Sequence, residues 1–137
     1  MNKPLSILLV EDDIIEIMKF NRTVSSLNVN CSINEAKNGE EAIDFLMDTP
    51  HLPDIILLDL NMPKINGIEF LKIIKENDNF KGIPTIILTT STNQTDLLEC
   101  NRIGVSGYMV KPLKYEDYVS KIQKTVSYWS ESERFTA

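Results

Sequence analysis

The chain is 137 residues long, 42% hydrophobic and 25% charged, with 5 Gly and 6 Pro, the make-up of one ordinary globular domain rather than a disordered or fibrous segment. A formal charge of −6 and a pI near 4.8 deny it the basic face that a nucleic-acid backbone rewards, so protein partners are expected and nucleic acid is not. Lys3 precedes an apolar run too short for a signal segment or a membrane span, and Cys31 and Cys100, in no metal-ligand spacing, read as two buried free thiols; a cytoplasmic chain with no membrane contact is expected.

Short apolar runs alternate with helical patterns from end to end, without repeat, low-complexity stretch or linker. Leu5–Val10 is nearly continuous in apolar residues, as a strand buried on both faces should be. A helix follows from Ile14 to about Leu27, with Asp13 and Glu16 spaced to cap it. Val29, Cys31 and Ile33 alternate with Asn30, Ser32 and Asn34, the period of a half-exposed strand, which places this one at a sheet edge. Asn38 and Glu41 have capping-box spacing at the start of a second helix, Glu40–Met47. Ile55–Leu58 is a third strand, Ile68–Glu76 a third helix and Thr85–Leu88 a fourth strand, with a weaker helical pattern near Asp96–Arg102. A fifth strand ends before Lys111, and the last helix, Tyr115–Trp129, carries its stripe at Tyr115, Tyr118, Val119, Ile122, Val126 and Trp129. Breaks at Gly39, Pro53, Gly67, Pro84, Gly104 and Gly107 fall between these segments. Strand and helix thus alternate five times, which predicts an α/β fold with a parallel sheet covered by helices.

In such a sheet, ligands sit beyond the carboxyl ends of the strands. Glu11, Asp12 and Asp13 follow the first strand, Asp59 the third, Thr89 and Thr90 close the fourth, and Lys111 with Pro112 follows the fifth. Close carboxylates repel unless a cation compensates, and donors that are all oxygens select a hard cation such as Mg2+. The charge of Lys111 then suits an added anion, because phosphoryl transfer works by positioning the group and neutralising its oxygens. Duller roles stand beside these: Asp13 as a helix cap, Thr89 as a strand-end residue, Lys111 as a solvated loop lysine and Tyr108 as an amphipathic strand residue. His51, beside Pro50 and near Pro53, reads as exposed loop without a catalytic role.

The residues resemble the receiver domain of two-component response regulators, from about Leu5 to Val126. Four motifs carry the likeness in that family's order: Leu-Val-Glu11-Asp12-Asp13, Leu-Leu-Asp59-Leu-Asn-Met-Pro63 with Gly67, Pro84-Thr-Ile-Ile-Leu-Thr89, and Gly107-Tyr108-Met-Val-Lys111-Pro112. The Leu-Thr-Thr-Ser91 run and the Tyr-Trp ending also look like the small regulators paired with phytochrome-type kinases. The resemblance implies a flavodoxin-like, doubly wound sheet of five parallel strands in the order 2-1-3-4-5 with five helices, one receiver domain over residues 1–137 with its core at about 5–129. By motif position it implies Asp59 as phospho-acceptor, and Asp12, Glu11, Asp59 and the Asn61 carbonyl as the Mg2+ site. Thr89 is implied as the hydroxyl that swings toward the phosphoryl group, Lys111 as the ammonium that pairs with it, Tyr108 as the ring that turns inward, and Pro112 as a cis-proline position.

The function implied is that of a phospho-accepting response regulator in a histidine-to-aspartate phosphorelay, catalysing only its own phosphorylation and dephosphorylation. A histidine kinase or histidine phosphotransfer protein would donate. The fourth helix, fifth strand and fifth helix would present the changed surface to a downstream protein target or to a second copy in a homodimer. With nothing after Ala137, output through binding is expected. Two positions depart from the family pattern. Thr90 is bulkier than usual beside Asp59, and Leu113 replaces an aromatic residue after Lys-Pro. A flavodoxin-like electron carrier is disfavoured by the acidic turn Glu11-Asp12-Asp13, which repels phosphate. An aspartyl phosphatase is disfavoured because Asp59-Leu60-Asn61 lacks a second carboxylate. A phosphorylation-independent binding module is the alternative function.

Overall fold

Five runs that are apolar at successive or alternate positions become the strands β1 (Leu5–Val10), β2 (Cys31–Ala36), β3 (Ile55–Leu58), β4 (Thr85–Thr89) and β5 (Gly107–Val110) in a computed structural model that describes residues 3–134. Met1 and Ala137, the ends of the expected domain, lie outside the described residues. All pairings are parallel and the order is β2-β1-β3-β4-β5, with Val10 opposite Leu58 and Thr89 opposite Val110. The expected fold is the observed one.

Five helices cover the sheet: α1 (Ile14–Ser25), α2 (Gly39–Asp48), α3 (Gly67–Glu76), α4 (Gln94–Ile103) and α5 (Tyr115–Glu131). Alternate strand residues point to opposite faces, so each strand feeds two cores. Leu8, Val10, Ile56, Leu58 and Ile87 pack with Leu46 of α2, Phe70, Leu71 and Ile74 of α3, and Cys100 of α4. Ile7, Leu9, Leu57, Ile86 and Leu88 pack with Ile17, Phe20 and Val24 of α1 and Tyr118, Ile122 and Val126 of α5. β2 sits at the edge, and its half-buried and exposed residues alternate as its sequence predicted. Among the described residues, no helix is long and apolar enough to cross a membrane.

Several local expectations need correction. Cys31 is only half-buried because it belongs to the edge strand, so Cys100 alone is a buried thiol. α1 stops at Ser25, where the Ser26 N–H closes onto the carbonyls of the preceding turn. α4 begins two residues earlier than its pattern suggested, because Asn93 caps it by accepting from the Thr95 N–H at 2.8 Å. The Lys111–Pro112 peptide is trans, against the cis-proline expectation. The Asn38 side chain accepts from Glu41 N–H, but Glu41 returns to Lys37 N–H, so the box is only half formed. The complete capping box is at α3, where Asn66 and Glu69 cap reciprocally.

At the pole of the sheet where the strands start, Arg134 clasps the chain after α5 to the residues before β1. Its guanidinium donates to the Lys3 carbonyl at 3.1 Å and the Pro4 carbonyl at 3.2 Å, and pairs with Asp54 at 3.6 Å. The Asp54 carboxylate also accepts from the Ser6 N–H at 2.8 Å.

Gly67 brings the start of α3 against the end of β3. Its N–H donates to the Leu60 carbonyl at 3.1 Å, and a Cβ there would stand 2.4 Å from the Asp59 carbonyl oxygen and 2.6 Å from Leu60 Cα. Those atoms are backbone and cannot rotate away. Gly67→Ala is therefore expected to lower stability by roughly 1–3 kcal/mol, measurable as a fall in the urea midpoint, by forcing α3 off the Asp59–Leu60 segment.

Candidate functional site

The parallel ladder continues for one residue past three strand ends, and this sets the site. Glu11 N–H donates to the Ala36 carbonyl at 2.9 Å, Asp59 N–H to the Val10 carbonyl at 3.0 Å, and Lys111 N–H to the Thr89 carbonyl at 2.7 Å. Three residues from distant parts of the chain are thereby held at one edge of one sheet, with side chains free for chemistry. Glu11 and Asp59 are buried, at 4% and 7% exposure, whereas Asp12 is exposed.

One carboxylate oxygen from each of Glu11, Asp12 and Asp59 lies within 4.8 Å of the others, a spacing that could hold a metal ion. The donors are all oxygen, which fits a hard divalent cation rather than a soft one. Asn61, expected to lend its carbonyl, follows Asp59 closely, with its N–H 3.4 Å from Asp59 Oδ1. Asp13 is not in the cluster. It is the N-cap of α1, accepting from Ile15 N–H at 2.9 Å, which decides between the two roles open to it.

Lys111 carries the positive charge. Its ammonium donates to Glu11 Oε1 at 2.5 Å and lies 3.2 Å from Glu16 Oε1, with the Lys111 side chain only 7% exposed. Burial pushes the Glu11 carboxyl up to about 7, and the charge of Asp59 pushes the same way, while the Lys111 contact and the Asp13 N–H pull it back. Burial favours the neutral amine at Lys111, but the hydrogen bond and charge of Glu11, with Asp59 and Glu16 behind them, outweigh it and raise the pKa. The ammonium is therefore charged and already faces anions.

Thr89 is fully buried at the end of β4, and its Oγ1 accepts from the Ser91 N–H at 3.3 Å. Ser91 in turn links two elements. Its hydroxyl donates to Asp96 Oδ2 at 2.7 Å, and its carbonyl accepts from the Tyr108 hydroxyl at 3.2 Å. Burial, first of all, raises the Tyr108 phenol, so it stays a donor. Thr90 is exposed beyond β4 and Leu113 is fully exposed after Pro112, so the two departures both lie on the outer rim. His51 is exposed, as its loop setting predicted.

The structure brings together Glu11, Asp12, Asp59 and Lys111, and ties Thr89 to Tyr108 through Ser91. Two contributors escaped the sequence reading. Ser91 was visible only as part of a motif, and the two contacts that join Thr89 to Tyr108 use its backbone N–H and carbonyl, which leave no residue signature. Glu16 looked like the second half of a cap, although Asp13 N–H is engaged by Glu11 Oε2 at 3.2 Å instead.

Comparison with known proteins shows the family and the fold. The response regulator receiver domain model matches residues 7–123. The probable methanogenesis regulatory protein FilR2 of Methanothrix harundinacea is 35% identical over 130 residues, 92% of this chain and 84% of that one. Response regulator Rcp1 of Synechocystis is 32% identical over 96% of this chain and 92% of its own. The Mn(2+)-bound form of Rcp1 superposes with a TM-score of 0.89, covering 98% of this chain and 100% of that one at 32% identity. The phosphorylated cyanobacterial phytochrome response regulator RcpA gives 0.89 at 28% identity, covering 96% and 97%.

The raised Glu11 carboxyl has a consequence for stability. The folded metal-free chain holds this proton between about 4.5 and about 7, where the unfolded chain has released it. More protons on the folded side means stability lost as pH rises through that window. Urea midpoints should therefore show the parent chain losing stability relative to Glu11→Gln as pH rises across it, with the loss reduced by a saturating divalent cation.

Proposed function

The chain belongs to the response regulator receiver domain family and is a phospho-acceptor of two-component signalling rather than a conventional enzyme, and from that membership we propose that Asp59 is the residue phosphorylated, with Mg2+ as the cation. The observation that carries this reading is the convergence of the Glu11, Asp12 and Asp59 carboxylates within 4.8 Å beside a buried ammonium. A phosphorylation-independent binding module is not favoured, since it has no use for that set.

In the proposed reaction an Asp59 carboxylate oxygen attacks the phosphorus of a phosphohistidine. The new O–P bond forms as the P–N bond breaks, and the electron pair leaves on the imidazole nitrogen, which is protonated from solvent. Glu11, Asp12, Asp59 and the Asn61 carbonyl would hold the cation, which supplies neutralisation of phosphoryl oxygens when bound. Lys111 pairs with another of those oxygens, and Asp59, buried to 7% exposure, offers its oxygen with little access for bulk water. Water later cleaves the acyl phosphate, returning the carboxylate and inorganic phosphate.

The phosphoryl group brings nearly two negative charges and three acceptor oxygens. The proposed response is that the Thr89 hydroxyl gives up its Ser91 contact and turns to this group, so the Ser91 carbonyl that holds the Tyr108 hydroxyl shifts with it. Through Tyr108 the change reaches a face made by α4, β5 and α5, where Leu97, Leu98 and Tyr128 are exposed for a downstream protein or a second copy. The donor is a histidine kinase or histidine phosphotransfer protein. The likeness to Rcp1 and RcpA, the latter named as a phytochrome response regulator, supports a phytochrome-type kinase, and a receiver-family chain of this kind is proposed to work in the cytoplasm.

Incubation with acetyl phosphate and Mg2+ should add one phosphoryl group by intact mass, and neither Asp59→Asn nor a chelated control should gain it. Modification of Asp59→Asn to the same extent would move the acceptor elsewhere. Failure with acetyl phosphate and with a panel of phosphorylated kinases and phosphotransfer proteins would return the binding module.

A further inference from the structure

Lys111 has two anionic anchors in the unphosphorylated chain, and only one belongs to the carboxylate cluster. Its ammonium lies 2.5 Å from Glu11 Oε1 and 3.2 Å from Glu16 Oε1. Glu16 stands in the first turn of α1, three residues after the N-cap Asp13. A glutamate at that position ordinarily folds back onto the N–H of the capping residue. Here Glu11 Oε2 has taken that N–H at 3.2 Å, so the Glu16 carboxylate turns instead toward the residue that follows β5.

The other Glu16 oxygen is pinned. Lys19 holds Oε2 at 3.1 Å, and the Lys19 ammonium itself lies 4.3 Å from the centre of the Tyr118 ring, a buried residue of α5. Oε1 is then left buried with no hydrogen-bond partner, facing the Lys111 ammonium outside hydrogen-bonding geometry. Such a contact acts by charge alone. It attracts over several ångströms without fixing a direction, and so it can restrain an ammonium while letting it turn.

We propose that Glu16 is a positioning residue that parks Lys111, holding the ammonium on the α1 side of the site before phosphorylation and competing for it with the phosphoryl group on Asp59. The proposal rests on the phospho-acceptor reading above. Glu11 is shared with any cation bound at the cluster, whereas Glu16 lies outside it and keeps its claim on Lys111 throughout. An ammonium divided between Glu16 and a phosphoryl oxygen neutralises that oxygen less fully, and the transfer step is slowed accordingly.

Two measurements on the full chain test this. In the metal-free, unphosphorylated protein, the Lys111 ammonium protons followed by 15N NMR should exchange with water at least about threefold faster in Glu16→Gln than in the parent. In the presence of Mg2+, the initial rate of phosphorylation by acetyl phosphate should rise at least about threefold in Glu16→Gln, with charge-retaining Glu16→Asp between the two. In a Lys111→Met background the same Glu16→Gln change should alter that rate by less than about 1.5-fold, because a residue acting through Lys111 has nothing left to act on. Unchanged ammonium exchange would overturn the proposal. So would an equal rate gain in both backgrounds, since that is the signature of removing a negative charge that merely repels the donor. The exchange measurement needs no phosphorylation, so a parent chain that accepts no phosphoryl group counts against the acceptor reading and leaves the Glu16 test standing on its own.

Discussion

Like charges crowded at low exposure set the problem that the site has to solve. Glu11 and Asp59 are buried side by side, with Asp12 at the rim, and like charges in that arrangement repel; burial and the charge of Asp59 together push the Glu11 carboxyl up. The ion pair between Glu11 and Lys111 makes the crowding tolerable, with side-chain exposures of 5% and 7%. Severing such a pair from one side leaves an uncompensated buried charge, on the order of 3–5 kcal/mol. The pair spans 100 residues of sequence, so it exists only when the first and last strands are both registered on the sheet. Correct folding and an assembled reactive edge are therefore one event. The crowding also serves function, since negative charge short of one cation attracts a metal and leaves Lys111 ready for an incoming anion.

The means of sending a signal outward are modest in comparison. Thr89, Ser91 and Tyr108 form a short relay in which each contact is a single neutral hydrogen bond of 3.2 to 3.3 Å. A neutral hydrogen bond of this kind contributes about 1 kcal/mol net, whereas charge-assisted bonds to a phosphoryl group are roughly twice as strong. The exchange of one for the other is downhill without being irreversible, which suits a shift between two populated packings. α4, the element next in line, buries only Cys100 among its ten residues and leaves Leu97 and Leu98 exposed. It is the helix least committed to the core.

How much of this was legible in the sequence depended on whether a residue's role is fixed by its neighbours in the chain. The central strands were plain because burial on both faces leaves no position free for a polar residue in Ile55–Leu58. The edge strand was equally plain from its alternation. Glu11, Asp12, Asp59, Thr89 and Lys111 could be named as site candidates because a parallel sheet gathers strand ends whatever the loops do. The start of α4 is poorly marked because a helix that buries one residue has no stripe to read, and its Asn93 cap lies outside the pattern. The α3 capping box is hidden in the sequence because Gly67 carries the signature of a break, yet it is the first residue of the helix. Glu16 is illegible for a deeper reason: its spacing from Asp13 is that of a cap, and only the three-dimensional competition for one N–H reveals that it faces Lys111 instead.

The Arg134 clasp has a consequence for how the fold can be re-engineered. Because its guanidinium meets the carbonyls of Lys3 and Pro4, the positions at either end of the described chain are neighbours at the pole away from the reactive edge. A short Gly-Ser bridge across that gap closes the backbone without crossing the sheet, and new termini can be opened in an exposed loop such as the one around His51. A circular permutant of this kind keeps every strand-end residue in place while changing the order in which the strands are synthesised. It would separate what the topology contributes to the site from what the chain's direction of synthesis contributes to reaching it.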